Sequence, residues 1–389
     1  MTALVDTPPA DTRPGERPLS LPEHEELAAT RLDPRVWDFI AGGSRTESTV
    51  TANQAPLDHW WLRPRVLTGV STADTSTTLL GDPVRLPVGI APVAYHRLAH
   101  PDGEVATARA AGAEGALLTV SIFASRTLEE IAAAATGPLW LQLYAMRDPA
   151  VLRDLAQRAE DAGYRALVLT VDAPRIARRL RDARNDFRIP PDVRAVNLDP
   201  ALMTTSHTAV AGASAVERHA AQQFAPRLDW DQLARLRART RLPVLLKGVL
   251  TEEDTRLAFD HGAAGVVVSN HGGRQLDGAV PSLVALPAVA RAAAGRGPVL
   301  VDGGIRHGAD VLKALALGAD AVLVGRPALW GLANGGSTGV AQVLRLLREE
   351  LEEAMVLTGR ADLPAVDASL LTPAAPTRPT STPQRSWPC

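Results

Sequence analysis

The chain has 389 residues, 46% of them hydrophobic, with 41 basic and 43 acidic side chains for a net charge of −2. That is ample for one large core, and the near balance of charge, with no basic stretch interleaved with aromatics, excludes general attraction to nucleic acid or an anionic membrane. The one cysteine, Cys389, is the last residue, so no intrachain disulfide can form; with no run of 18 apolar residues and no signal-peptide pattern, a cytoplasmic protein without a membrane partner is expected.

Prolines at 8, 9, 14, 18 and 22 among scattered charges predict a disordered extension over residues 1–25. The folded domain is expected over residues 26–365. Within it, Asp33-Pro34-Arg35-Val36-Trp37-Asp38-Phe39-Ile40-Ala41-Gly42-Gly43 predicts a helix with an Asp N-cap, Pro at its first position and a terminating Gly. Val36, Phe39 and Ile40 then share one face. From residue 88 onward, β-rich apolar runs recur at 88–92, 116–120, 139–144, 166–172, 244–247, 265–269, 299–302 and 321–325. Helical patterns lie between them, for example at 103–113, 128–135, 149–162, 252–261, 282–294 and 308–317. Eight strand patterns alternating with helices predict an α/β fold, a (β/α)8 TIM barrel. Only the link after the fourth strand is long, about residues 174–230, and an insertion of that size is usually a lid or functional loop. Residues 366–389, Pro/Thr/Ser-rich from 372, are expected to form a disordered tail.

Active sites of this fold lie at the C-terminal ends of the strands, and polar residues close the apolar runs there: Gln142, Tyr144, Thr170, Asp172, Lys247, Ser269, His271, Asp302 and Arg326. Only two of the 41 basic residues are lysines, Lys247 and Lys313. Lys313 sits in a helical pattern and needs no functional reading, whereas Lys247 ends a strand where its charge would face the barrel mouth. The richest stretch is Val266-Val267-Val268-Ser269-Asn270-His271-Gly272-Gly273-Arg274-Gln275-Leu276-Asp277-Gly278, which delivers a proton acceptor and a planar anion clamp together at a strand end. Histidine ordinarily titrates near neutrality, which suits a general base, and Asp172 could orient it and stabilise its charged form. Arg274, and one arginine of the cluster at 175–179, are candidates for a substrate carboxylate, since a guanidinium presents two parallel donors. After strands seven and eight come Asp302-Gly303-Gly304-Ile305-Arg306 and Gly325-Arg326. Either could be a tight turn with a surface arginine, but two in adjacent barrel positions point to a phosphate site.

These motifs resemble the active-site pattern of the FMN-dependent 2-hydroxy-acid oxidase family, which includes glycolate oxidase, lactate oxidase and mandelate-oxidising enzymes. The resemblance covers about residues 30–365. It implies FMN as cofactor, with Gly304, Arg306, Gly325 and Arg326 at its phosphate and Asp302 near its ribityl chain. Lys247 would face the charge that grows at N1 and O2 of the ring on reduction. Pro92, Val93, Ala94, Ser121, Gln142, Thr170 and Ser269 are the other matching flavin positions. His271 is then the base and Asp172 its partner, Arg274 and Arg179 hold the substrate carboxylate with Arg178 as fallback for the latter, and Tyr144 meets the substrate oxygen. The expected partners are a small 2-hydroxy acid and O2, with H2O2 as product, in a homo-oligomer that the resemblance makes a tetramer.

Two positions depart from the glycolate and lactate oxidases. Phe39 stands where those relatives usually carry a carboxylate-binding tyrosine, and Phe123 where glycolate oxidase has a tryptophan. Together with residues 91–98 and 273–281, this looks most like the hydroxymandelate oxidases, so (S)-mandelate or 4-hydroxymandelate is the expected substrate and the 2-keto acid the product. The alternatives are an oxidase of lactate or glycolate, an FMN-dependent dehydrogenase with another acceptor, a lactate-type monooxygenase, and a phosphate-binding barrel without catalysis.

Overall fold

The computed structural model describes residues 17–198, 223–225 and 227–374. Three short strands precede the barrel: β1 (Trp60–Leu62), β2 (Thr77–Leu79) and β3 (Asp82–Val84). The barrel itself is β4 (Val88–Ile90), β5 (Leu118–Ser121), β6 (Leu139–Tyr144), β7 (Ala166–Thr170), β8 (Val244–Val249), β9 (Gly265–Val268), β10 (Val299–Asp302) and β11 (Ala321–Val324). All eight neighbouring pairs are parallel, and β11 pairs with β4 to close the ring. A last strand, β12 (Leu371–Pro373), lies antiparallel to β1.

The strands read as continuous apolar runs because both faces are buried. Their twofold alternation then sorts side chains into two layers. One face, with Ile90, Leu118, Leu141, Leu169 and Leu246, packs against the surrounding helices. The other fills the barrel with Leu117, Trp140, Val168, Leu245, Val267, Leu300 and Leu323. Two residues further along the inward face, this apolar plug gives way to Gln142, Thr170, Lys247, Ser269 and Asp302. The alternation that packs the barrel therefore also sets the floor of a polar site at its C-terminal end.

The helices between strands start where their caps dictate. Thr127 and Glu130 form a reciprocal capping box on Leu128–Ala134, Asp148 caps Pro149–Asp161 with Pro149 at its first position, and Thr251 caps Glu252–Asp260. Asp33 likewise caps Pro34–Ala41, which buries Phe39 and Ile40. Gly42 ends that helix in extended rather than left-handed conformation, φ −65°; a Cβ there would lie 2.5 Å from the Asp38 carbonyl oxygen, so close approach accounts for the glycine.

The ends of the chain differ from expectation. Residues 17–25 belong to the ordered structure: Ser20 caps a helix over Leu21–Arg31, and Leu21 and Ala28 are fully buried. Pro22 lies in its first turn, where a missing N–H costs nothing, so proline density signalled a helix start there rather than disorder. Residues 366–374 are ordered too, because Leu370 and Leu371 are buried and β12 completes a ladder with β1. The rest of both expected extensions, 1–16 and 375–389, lies outside the described residues. Much of the long link after β7 does as well. Its described flanks hold the helix Leu180–Arg184 and residues 223–225, where Phe224 makes an antiparallel bridge to Met146 just beyond β6. No helix of the described residues is long and apolar enough to cross a membrane.

Candidate active site

One cleft of about 1200 Å³, mouth included, opens at the C-terminal ends of the barrel strands. Among the residues expected at the site, Pro92, Val93, Ala94, Ser121, Gln142, Tyr144, Thr170, Arg179, Lys247, His271, Arg274, Asp302, Gly304, Arg306, Gly325, Arg326, Phe39 and Phe123 all line it. Asp172 and Ser269 stand directly behind, each bonded to a lining residue.

His271 follows β9 at φ +61°, a left-handed conformation that is costly for a side chain with a Cβ. The turn is held by Asn270, whose side chain accepts from the Gly273 N–H at 3.1 Å, and by the Ser269 hydroxyl, which accepts from the His271 N–H at 3.0 Å. The imidazole Nδ1 lies 2.9 Å from Asp172 Oδ1, and Nε2 lies 3.5 Å from the Tyr144 hydroxyl. Burial works against the charge of Asp172, but His271, the hydrogen bond between them and Lys247 outweigh it and hold the carboxyl below its usual range. An ionised carboxylate only accepts, so Nδ1 carries a proton, and Nε2 is the ring nitrogen on the Tyr144 side. Gly248 makes this contact possible: at φ +108°, a Cβ there would sit 2.6 Å from that of Asp172. Burial, then Asp172, push the Tyr144 hydroxyl far above its ordinary pKa against Arg179 and Arg274, which keeps it a donor.

The same cleft holds a cluster of guanidinia, Arg179 buried and Arg274 and Arg326 half-buried. Arg274 Nη1 donates to the Gly42 carbonyl at 2.6 Å and to that of Ile40 at 3.3 Å, while all three Arg326 nitrogens donate to the carbonyls of Ile40, Gly272 and Gly42. Burial, then Arg179 and Arg326, push the pKa of Arg274 well down, and burial with Arg306 takes Arg326 to about 10. A guanidinium still keeps its proton near neutrality, so the cluster is cationic and calls for anions. Arg179 is buried whereas Arg178 is exposed, which separates the two candidates left open by the sequence. The guanidinium carbons of Arg179 and Arg274 lie 5.5 and 5.3 Å from the centroid of the Phe39 ring, in cation–π range.

The residues fit FMN. Lys247 Nζ is 2.9 Å from Asp302 Oδ2 and donates to the Ser269 hydroxyl at 2.7 Å. Burial opposes its charge, but Asp302 and Asp172 raise its pKa above the ordinary value, so it stays an ammonium. The other Asp302 oxygen is buried with no protein partner, as a ribityl hydroxyl would require. Gln142 donates to the Thr170 hydroxyl at 3.0 Å and accepts from that of Ser121 at 3.2 Å, a polar chain across three strands. In the loop after β10, Gly304 has φ +89°, and a Cβ there would lie 2.1 Å from the Asn53 carbonyl oxygen. Gly325 has no such constraint, since a Cβ there would meet nothing closer than Val93 at 3.5 Å. Arg306 lies over the Trp330 ring at 4.7 Å and is 3.8 Å from Glu25 of the first helix.

Several residues that shape the cleft carried no local signal. Asn53 and Asn270 exchange amide hydrogen bonds at 2.9 and 2.7 Å, tying the His271 turn to the helix Ser48–Ala52. Phe187 stacks on Phe39 with centroids 4.6 Å apart, and Phe224 stacks on Tyr144 at 4.5 Å. Both come from the long link after β7, and only their partners, 148 and 80 residues earlier, reveal them. The scattered apolar residues of that link were the one available hint.

A profile of the FMN-dependent dehydrogenase family matches residues 28–373, and the chain belongs to this family of FMN-dependent 2-hydroxy-acid oxidases. It is 50% identical to the 4-hydroxymandelate oxidase of Amycolatopsis orientalis over 88% of this chain and 94% of that one. It is 45% identical to the L-lactate oxidase of Nostoc sp., over 91% and 98% of the two chains. Among solved structures, a mandelate oxidase with (S)-4-hydroxymandelic acid superposes with a TM-score of 0.87 at 49% identity, covering 91% of this chain and 98% of that one.

Proposed function

We propose that the protein oxidises an aryl (S)-2-hydroxy acid, mandelate or 4-hydroxymandelate, to the 2-keto acid, with O2 as acceptor and H2O2 as product. The observation that carries this reading is the His271 imidazole, held by Asp172, in one cleft with the Arg179 and Arg274 guanidinia and the buried Lys247 ammonium. FMN, when bound, supplies the two-electron acceptor for the substrate C2–H bond. Arg179 and Arg274 hold the substrate carboxylate, and Tyr144 donates to the hydroxyl oxygen. His271 Nε2 takes a proton, and Asp172 stabilises the imidazolium so formed. Lys247 sets a fixed positive charge where negative charge grows on the cofactor ring. Gly304, Arg306, Gly325 and Arg326 surround the phosphate, Asp302 meets the ribityl chain, and Pro92, Val93, Ala94, Ser121, Gln142 and Thr170 border the ring. The family resemblance alone supports the further proposal of a cytoplasmic homo-oligomer, a tetramer.

The protein is expected to purify yellow with non-covalent FMN, and under anaerobic conditions (S)-mandelate should bleach it faster than (R)-mandelate, lactate or glycolate. A colourless protein that FMN cannot reconstitute overturns the flavin reading. Bleaching without oxygen uptake in air would instead favour a dehydrogenase with another acceptor.

Phe39 makes the substrate class testable. Without a tyrosine hydroxyl at that position, one charge-assisted hydrogen bond to the carboxylate is lost, worth roughly 1.5–3 kcal/mol. An aryl group offsets this by burying apolar area at about 25 cal/mol per Å² among Phe39, Phe123 and Tyr144, whereas the lactate methyl buries little. Mandelate is therefore expected to exceed lactate by at least about tenfold in kcat/KM, roughly 1.4 kcal/mol of transition-state discrimination. Phe39→Tyr should narrow the gap by improving lactate turnover. A wild type that prefers lactate or glycolate in steady-state kinetics removes the aryl assignment and leaves the oxidase.

A further inference from the structure

We propose that Asp182 is a positioning residue for substrate carboxylate binding: a buried anion behind the cleft that holds the Arg179 guanidinium in register for its ligand. This inference rests on the proposed role of Arg179.

Asp182 lies three residues beyond Arg179, in the first turn of Leu180–Arg184, and is 1% exposed. Arg179 lines the cleft; Asp182 does not. Their closest approach, Arg179 Nη1 to Asp182 Oδ2, is 3.8 Å, an ion pair without a hydrogen bond. Both Asp182 oxygens and the Arg179 Nε are buried without a hydrogen-bond partner. Each such group calls for an explanation, and the opposite charges of Arg179 and Asp182 are each other's nearest. The neighbouring charges are already matched elsewhere: Arg181 pairs with Glu47 and Asp38, and Asn185 donates to Asp38. Asp182 is thus left to the arginine cluster. Burial raises its carboxyl pKa, with Arg179 and then Arg274 pulling it back, so its charge depends on those two cations.

The arrangement gives Arg179 two faces. The Asp182 carboxylate lies behind it, the Phe39 ring lies beside it at 5.5 Å, and the remaining donors are free for a ligand in the cleft. Without the anion, Arg179, Arg274 and Arg326 are neighbouring cations that repel one another, and Arg179 loses the partner that fixes its angle. The backbone reinforces the link, since the Phe187 N–H donates to the Asp182 carbonyl at 2.9 Å and the Phe187 ring stacks on Phe39.

The test uses the FMN-loaded enzyme and benzoylformate, the 2-keto acid of mandelate, titrated by its perturbation of the flavin spectrum. Asp182→Asn should raise the benzoylformate Kd by at least about tenfold, the scale of one charge-assisted hydrogen bond. The KM for (S)-mandelate should rise with it while kcat stays within about threefold of wild type. In an Arg179→Met background, Asp182→Asn should add nothing further, because the effect passes through Arg179. Unchanged or tighter benzoylformate binding, or the same loss in the Arg179→Met background, overturns the proposal. If the Asn variant fails to take up FMN, Asp182→Glu carries the test: it keeps the charge, so wild-type-like binding supports the proposal and a tenfold loss overturns it. A wild type whose flavin spectrum responds to no 2-hydroxy or 2-keto acid ends the proposed function, and this inference with it; a responsive wild type with an indifferent Asn variant ends this inference alone.

Discussion

Replacing His271 by Ala is expected to lower the rate of anaerobic flavin reduction by mandelate by about 10²–10⁴-fold, the usual worth of a positioned general base. FMN should remain bound, because the ring contacts Asp172 and Tyr144 and makes none of the contacts at the phosphate loops. The left-handed backbone at residue 271 sharpens the expectation, since a fold that keeps a non-glycine residue at φ +61° orients that side chain at a cost. Stopped-flow reduction with saturating (S)-mandelate makes the measurement, and the flavin content of the purified variant is its control. Near-normal reduction would require another base, and Tyr144, held protonated by burial, would be a poor replacement.

Lys247→Met should produce the second large effect. The ammonium lies between Asp302 and the Ser269 hydroxyl, fully enclosed, with Asp172 near enough to favour its charge. Removing a preorganised charge from such a site typically costs about 10²–10³-fold in rate, and flavin reduction should slow by that amount. Sulfite addition to the flavin, which also builds negative charge on the ring, should weaken in parallel. The substitution also strands a buried carboxylate, so stability should fall by roughly 3–5 kcal/mol. A variant that loses stability yet reduces its flavin and binds sulfite normally would make Lys247 a structural counter-ion only. Lys313, the other lysine, donates to the Leu57 carbonyl at 2.8 Å, away from the cleft, and gives a natural comparison.

The barrel was legible because both of its layers are written in local pattern. Each strand needs a short apolar run, and each run that ends in the site turns polar two residues past the plug, as from Trp140 to Gln142 and from Leu245 to Lys247. The helix start at Asp33 was readable for the same reason, since a cap acts within three residues; Thr127 and Asp148 cap the helices whose patterns begin at 128 and 149. What was not legible depends on partners distant in sequence. Pro18 and Pro22 resemble a disordered segment until Ser20 caps a helix and Leu21 finds the core. Leu371 looks like part of a tail until it meets Leu62. Asp182 sits in a run of arginines that reads as a solvated face, and only the fold turns it inward. The motifs named the chemical groups; the long-range contacts of Phe187, Phe224 and Asn53 decide how tightly those groups are held.

The closure of the ring also dictates when during synthesis the site can exist. β4 pairs on one side with β5 and on the other with β11, and β10 likewise needs β11, so residues 321–324 complete two ladders at once. Arg326, immediately beyond, supplies the donors that fasten Ile40 and Gly42 to the turn at Gly272. A nascent chain that has not yet released these residues from the ribosome carries two open strand edges and an unfastened Phe39 helix. Such edges are templates for aggregation. The C-terminal sixth of the chain is therefore what separates a sticky intermediate from a protein able to take up its cofactor, and shortening it to before residue 321 removes the site and the solubility together.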